Sequence, residues 1–468
     1  MPSTIKNLLP PPVDSLSLEQ ISRPACPQSD FQNDILVVLR VDVTEIHEKL
    51  PIHFETVLRC VPDYVIYSDA EETIGDHHIY DFLGQANETL RNAISEFELY
   101  NQLHISMREE QECQKRRLGS TPQPPNKRLQ QWKLLPIADR ALKYRPQARW
   151  FVFLEADTYM VWPNVLEYLA KFNAEQPYYL GGGMNISDVL FPPKGLGFAL
   201  SNPAIKKVAE YWKEYQNEWR QSSNERWVGD ITLEHALGGI EKDLIRTFPY
   251  LQVNGLTTLD WAVLGSEKRF QCPAPLIFHH MTEEEFTTMW KFEQERLHRN
   301  WGKGFLTFRD IFKRLIYHQI KTKRARWDNM SVGIEYSDKT LGRLSNREKD
   351  RLSPAEQEAP LSFEKCRAAC ESKPTCIQFS YTQGSCLTSG ELRLGHTVDS
   401  KCANSSRVPE NCVEQRPIQD NEDIYSKDKI PIQSGWIMKR VSSYYQNLDW
   451  SCDNRRKPLY HTKIEADI

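Results

Sequence analysis

Two carboxylates at the end of an apolar run are the first residues in this chain that could do chemistry. Phe151-Val152-Phe153-Leu154 offers nothing to water, then stops in Glu155-Ala156-Asp157-Thr158-Tyr159. Such a run suits a strand buried on both faces. Side chains two apart on an extended chain point the same way, so Glu155 and Asp157 share a side. Ligands of open α/β sheets bind beyond the carboxyl ends of the strands, and paired oxygen ligands there suit Mg²⁺ or Mn²⁺ carrying phosphates. The same triplet also describes acids that simply meet solvent. Three further stretches end or open on polar groups. Asp63 to Asp69 is a strand that finishes on an acid, which could equally begin a turn. Pro275 to His280 is a strand ending in two histidines, and a register slip of one would exchange His279 with His280. Trp227-Val228-Gly229-Asp230 opens a helix, so Asp230 reads either as a base or as an N-cap.

The elements that must position these groups alternate. Residues 34–41 form a strand, 43–60 an amphipathic segment and 63–69 a second strand. Helices follow over 84–114 and 129–144, separated by a Pro, Gly and Ser-rich loop at 118–126. The latter helix delivers the chain to the carboxylate strand. Beyond it come a helix opened by Pro163, a strand at 178–183, a small-residue stretch from Lys194 to Ser201, and a helix from Pro203 to Trp219. Gly195 and Gly197 would let a backbone approach a ligand closely, or mark a plain turn. The strand at 275–280 feeds a helix carrying Phe286, Met289, Trp290 and Leu297. Strand–helix alternation predicts a mainly parallel sheet covered on both faces.

At 468 residues the chain is expected to form two or three domains. Residues 1–30 are Pro-rich and polar, a linker or stem, and 332–360 lose periodicity and gain charge, a second linker. The formal net charge of −4 gives no electrostatic case for nucleic acid. The short basic clusters Lys115-Arg116-Arg117 and Lys321 to Arg326 read as solvated surface. Of eleven cysteines, Cys26, Cys60, Cys113 and Cys272 are scattered and seven crowd into 366–452. That crowding reads as a disulfide-stapled module, which needs an oxidising compartment. Sequons at Asn87, Asn185, Asn329 and Asn404 agree with a secretory route. No stretch approaches the roughly 18 apolar residues of a membrane span, and Met1 to Pro12 is unlike a signal peptide. An anchor upstream of this chain would reconcile compartment with address.

The order of these motifs resembles the Fringe-like glycosyltransferases. It runs from the acid-ended strand through Trp132-Lys133, Trp150 to Tyr159, Gly195 to Ser201 and Gly229-Asp230 to Phe278-His279. The core 1 β1,3-galactosyltransferase branch is the most similar, over roughly residues 34–300. The resemblance implies a GT-A fold (one Rossmann-like, mainly parallel sheet) over 31–331, a UDP-sugar donor (UDP-galactose in that branch), Mn²⁺, and inversion at the anomeric carbon. It also implies a type II protein of the Golgi lumen acting on a glycan or glycoprotein acceptor. Position by position, it implies that Glu155, Asp157 and His279 hold the metal and that Asp69 contacts the nucleotide. Trp132, Lys133 and Ala156 would flank the donor, Gly195 and Gly197 line donor and acceptor, and Asp230 act as general base. Trp227 would stack on a sugar or sit in the core.

One departure is visible. Glu155 stands where the animal enzymes carry Asp, and its extra methylene moves the carboxylate outward by about 1.5 Å. The expected activity is galactosyl transfer to the 3-hydroxyl of an N-acetylgalactosamine-type acceptor. Its rivals are another donor such as UDP-N-acetylglucosamine, or an inactive chaperone or glycan-binding protein.

Leu361-Ser362-Phe363-Glu364-Lys365-Cys366-Arg367-Ala368-Ala369-Cys370 places two cysteines four apart on one helix face. With Cys376 and Cys386 on the strands that follow, it resembles a PAN/apple module within 361–452. The resemblance implies pairing of Cys370 with Cys376 and of Cys366 with Cys386. It leaves open whether the module presents an acceptor, binds glycan itself, or is a spacer.

Overall fold

The computed structural model describes residues 24–84, 100, 129–181, 184–186, 189–191, 197–219, 236–237, 244–246, 250–266, 274–298, 304–398 and 432–453. The chain divides into two compact units, one built from 16–253 with 275–305, the other from 1–15, 254–274 and 306–468. The second unit therefore claims 254–274 and 306–331, which the sequence assigns to the sugar-transfer domain.

The first unit is an α/β layer structure. Its strands are β1 Ile35–Arg40, β2 Tyr64–Ser68, β3 Glu72–Ile74, β4 His77–Asp81, β5 Trp150–Glu155, β6 Tyr159–Met160, β7 Tyr179–Gly181, β8 Met184–Ile186, β9 Val189–Phe191, β10 Phe198–Ser201, β11 Leu244–Arg246, β12 Leu251–Gln252 and β13 Ile277–Phe278. Eight of them form one sheet in the order β11-β7-β10-β5-β1-β2-β4-β3. Within it only β10 and β3 run against the rest. The sheet is mixed but mainly parallel. From β1 the chain builds outward through β2 and β4, then returns to the other side of β1 as β5. The reversal of strand order thus falls between β1 and β5, the position at which such sheets bind ligands.

Both central strands are apolar almost throughout. Ile35 to Leu39 and Phe151 to Leu154 are buried, and each strand ends on a charged residue, Arg40 and Glu155. Helix Leu129–Tyr144 packs Leu135, Ile137, Ala138 and Ala141 into the same core as Phe151 and Phe153. Helix Asn202–Trp219 adds Ala204, Ile205, Val208 and Trp212 to that core. A smaller three-stranded sheet, in the order β12-β13-β6, brings the segment before His279 against the segment after Asp157. A disulfide joins Cys26 to Cys60, and the Ala25 N–H donates to Gln294 Oε1 at 2.7 Å, so the end of the expected stem is tied to this unit. The helix expected at 84–114 and the loop at 118–126 lie outside the described residues, apart from Gly84 and Tyr100.

In the second unit the remaining strands are β14 Arg324–Ala325, β15 Trp327–Asp328, β16 Ile334–Ser337, β17 Gln378–Thr382, β18 Ser385–Ser389, β19 His396–Thr397 and β20 Gln433–Trp436. A five-stranded antiparallel sheet in the order β14-β20-β17-β18-β16 carries helix Phe363–Ser372. Disulfides Cys366–Cys386 and Cys370–Cys376 pin helix to sheet, the pairs that the PAN resemblance implies.

The linker expected at 332–360 is not one. It holds β16 and three short helices, each opened by a capping box: Ser337 with Thr340, Ser345 with Glu348, and Ser353 with Glu356. Short capped turns carry no long hydrophobic period, yet the Ser-x-x-Glu signature stands in the sequence at 345 and 353. Tyr336 from this stretch is buried in the core around Phe379. The sequon at Asn329 is also structural. Its amide is buried and donates to the carbonyls of Phe379 and Gly435 at 3.2 and 3.4 Å.

Candidate metal centre

The site grows from the β1/β5 boundary. Arg40 and Glu155 are register partners on adjacent parallel strands, and an Arg40 Nη2–H donates to Glu155 Oε1 in an ion pair. Two residues on, Asp157 faces a different set. The β6–β13 pairing places the histidine pair beside it, and the Met281 N–H donates to the Asp157 carbonyl at 2.9 Å. His279 Nδ1 lies 2.9 Å from Asp157 Oδ1 and 2.9 Å from Thr158 Oγ1. His280 Nδ1 lies 3.1 Å from Asp157 Oδ2. Adjacent residues on a strand point opposite ways, so one local device is needed for both rings to reach one carboxylate. His280 supplies it: its φ is +54°, a left-handed conformation that folds its ring back until the two imidazole centroids are 3.9 Å apart.

Asp157, His279 and His280 therefore converge, with one ligand atom from each within 4.8 Å of the others, a group able to hold a divalent cation. His279 is buried, and the His280 side chain is 51% exposed. Burial raises the Asp157 carboxyl, but hydrogen bonds from His279 and His280 and the charges of His279 and Lys49 outweigh it. The group is held well below the usual carboxylate range. Lys49 Nζ is 4.0 Å from Asp157 Oδ2 and 2.7 Å from Glu45 Oε1.

The strand end is braced from behind. His53 Nε2 is 2.7 Å from the Ala156 carbonyl, so that nitrogen carries the proton and donates. Burial pushes the His53 imidazole down to about 4, which leaves it neutral at pH 7. Its ring meets Phe286 edge-on, and Phe286 in turn meets Tyr159. Glu293 sits near Tyr159 in the same core, where burial pushes its carboxyl up to about 8.

Of the residues singled out from sequence, Asp157 and His279 are brought together, while Glu155 is turned to Arg40. Asp69 and Lys133 also meet: Lys133 Nζ lies 2.8 Å from Asp69 Oδ1 and pairs with Asp42 as well. Burial raises the Asp69 carboxyl against the pull of Lys133. For Lys133, burial is outweighed by the two acids, which hold its ammonium above the ordinary value. Ala156 is buried and offers its carbonyl to His53. The close approach at Gly197 is to the sheet itself, because a Cβ there would come within 2.6 Å of Ile277 Cδ1 and 3.0 Å of the Phe153 carbonyl. The strand β10, which begins at Phe198, occupies ground expected to be loop. Gly195, Trp227 and Asp230 lie outside the described residues, as does the Trp132 side chain. Sequence reasoning missed Arg40, Lys49 and His53. Arg40 could have been found, since it ends one apolar run as Glu155 ends another.

Fold and site define a mainly parallel α/β unit with a carboxylate–imidazole group at the edge where strand order reverses. No family model matches the sequence, and no curated protein matches it. Among solved structures, a glycosyltransferase involved in the glycosylation of the major capsid of PBCV-1 is similar. The match has 12% identity and a TM-score of 0.26, covering 56% of this chain and 98% of that one.

Proposed function

We infer that this chain is a metal-dependent, inverting glycosyltransferase that moves galactose from UDP-galactose to a 3-hydroxyl of an N-acetylgalactosamine-type glycan. The single observation that carries the reading is the convergence of Asp157, His279 and His280 beyond the end of β5, at the sheet's switch point. One carboxylate with imidazole donors suits Mn²⁺ better than Mg²⁺, which prefers oxygen ligands and near-ideal octahedral geometry. Asp157 and His279 would hold the cation, which as a Lewis acid supplies stabilisation of the negative charge on departing UDP.

The chain's own groups do the rest. Thr158 and Asp157 fix the orientation of His279, and His53 holds the Ala156 carbonyl so that the strand end keeps its shape. Lys49 adds positive charge beside the carboxylate, where a diphosphate would need it. Asp230 is the proposed base, taking the proton of the acceptor hydroxyl as that oxygen attacks from the face opposite the leaving group. The disulfides call for an oxidising compartment, consistent with the Golgi lumen.

The Arg40–Glu155 pair favours a second reading, a protein of this fold that binds a donor or a client without turnover. Release of UDP from a panel of UDP-sugars, with and without Mn²⁺, separates the two. Turnover of UDP-galactose that needs Mn²⁺ and disappears in Asp157→Ala supports the enzyme. Equal release with and without the ion, or full activity in a folded Asp157→Ala variant, overturns it.

A further inference from the structure

We propose that Glu155 is not a metal ligand but the anchor of Arg40, and that His280 takes its place in the cation site. The inference rests on the reading of Asp157 and His279 as cation ligands. Three observations carry it. First, Glu155 and Arg40 are opposite one another in strand register, so their pairing is built into the central strand contact and needs no rearrangement of the loops. A bonded guanidinium–carboxylate pair at a partly dry strand end is a strong, directional partner for the acid. Second, the Arg40 side chain is only 13% exposed, and its Nε has no acceptor among the described residues, so the guanidinium is held by Glu155 and retains donor capacity.

Third, His280 adopts a left-handed backbone conformation that a residue with a Cβ rarely takes, and the outcome is a second imidazole on Asp157. The donor spacings agree. Asp157, His279 and His280 each offer a ligand atom within 4.8 Å of the other two, a span that one ion can bridge. Glu155 belongs to no such group among the described residues. The unusual Glu-x-Asp order is then explained: the longer acid reaches sideways to the neighbouring strand, and the shorter one stays to meet the histidines.

The experiment is Mn²⁺ binding to the full chain, followed by the loss of the free-ion signal in electron paramagnetic resonance, with thermal melting to verify folding. Glu155→Gln is expected to bind within about twofold of the parent chain, whereas His280→Asn should bind at least about tenfold more weakly. Asparagine tolerates the left-handed backbone, so the second variant keeps the turn while removing the imidazole. Asp157→Ala should abolish binding. If Glu155→Gln loses affinity as Asp157→Ala does, or if His280→Asn binds normally, this assignment is overturned while the cation site stands. A parent chain that does not retain Mn²⁺ overturns both.

Discussion

Two polar clusters in this protein differ in how they end. Around Asn329 in the cysteine-rich unit, every bond closes on the unit itself. The side chain donates to Phe379 and Gly435 carbonyls and accepts from Ser331, while its backbone meets Ser434 and Gln378. Asn329, Gln378 and Ser434 are wholly buried. Around Asp157 the groups also meet one another, but they are two imidazoles and a carboxylate, all with ligand atoms, and one of the rings faces outward. A buried polar network stabilises when each donor finds one acceptor of fixed geometry. A binding site gathers several groups of the same kind at one point. The difference lies in whether the atoms complement one another or converge as ligand atoms at one point.

Substitutions sharpen that contrast. The largest effect is expected at the open cluster: Asp157→Ala should lower Mn²⁺-dependent UDP release by about a hundredfold or more. At the closed cluster the pattern should reverse. Asn329→Ala strands two buried carbonyls and a hydroxyl, so urea titration should show a loss of about 3 kcal/mol while Mn²⁺ binding is unchanged. Loss of Mn²⁺ binding in a folded Asn329→Ala chain would remove the distinction.

Between the clusters in size comes Glu293. Its folded value is raised from 4.5 to about 8, so the folded chain holds a proton that the unfolded chain releases. Stability must then fall as pH rises through that window, and Glu293→Gln should flatten the decline in chemical denaturation curves recorded at several pH values. His53 acts in the opposite sense. With its folded value lowered to about 4, its contribution is present above the ordinary value of 6.5 and is lost as pH falls. The smallest effect belongs to Ser331→Ala, which deletes the Asn329 sequon. Glycopeptide mass spectrometry of chain made in a secretory host should find no glycan at Asn329 in the parent chain. The variant should cost about 1 kcal/mol through its lost hydrogen bond.

Much of the first unit was legible from sequence because its strands are short, continuous and apolar. Phe151 to Leu154 can satisfy its side chains only inside a sheet, and helix Leu129–Tyr144 has the expected bounds. The stretch 332–360 was not legible, since helices of one turn leave caps rather than periods as their trace. Gly197 misled for a related reason. A glycine that admits a ligand and one that admits a neighbouring strand are the same letter, and only the position of Ile277 separates them.

The sequence by itself determined that charged groups close the apolar central strands and that two histidines follow another apolar run, because such runs must be buried and their polar termini must emerge. Only the tertiary structure decided which acid keeps which partner. Arg40 is 115 residues from Glu155 and His279 is 122 from Asp157, and no local rule relates positions so distant. Parallel pairing of β1 with β5 set the first contact and antiparallel pairing of β6 with β13 set the second. Backbone hydrogen bonding in those ladders fixes register to the residue, and so fixes which charges meet.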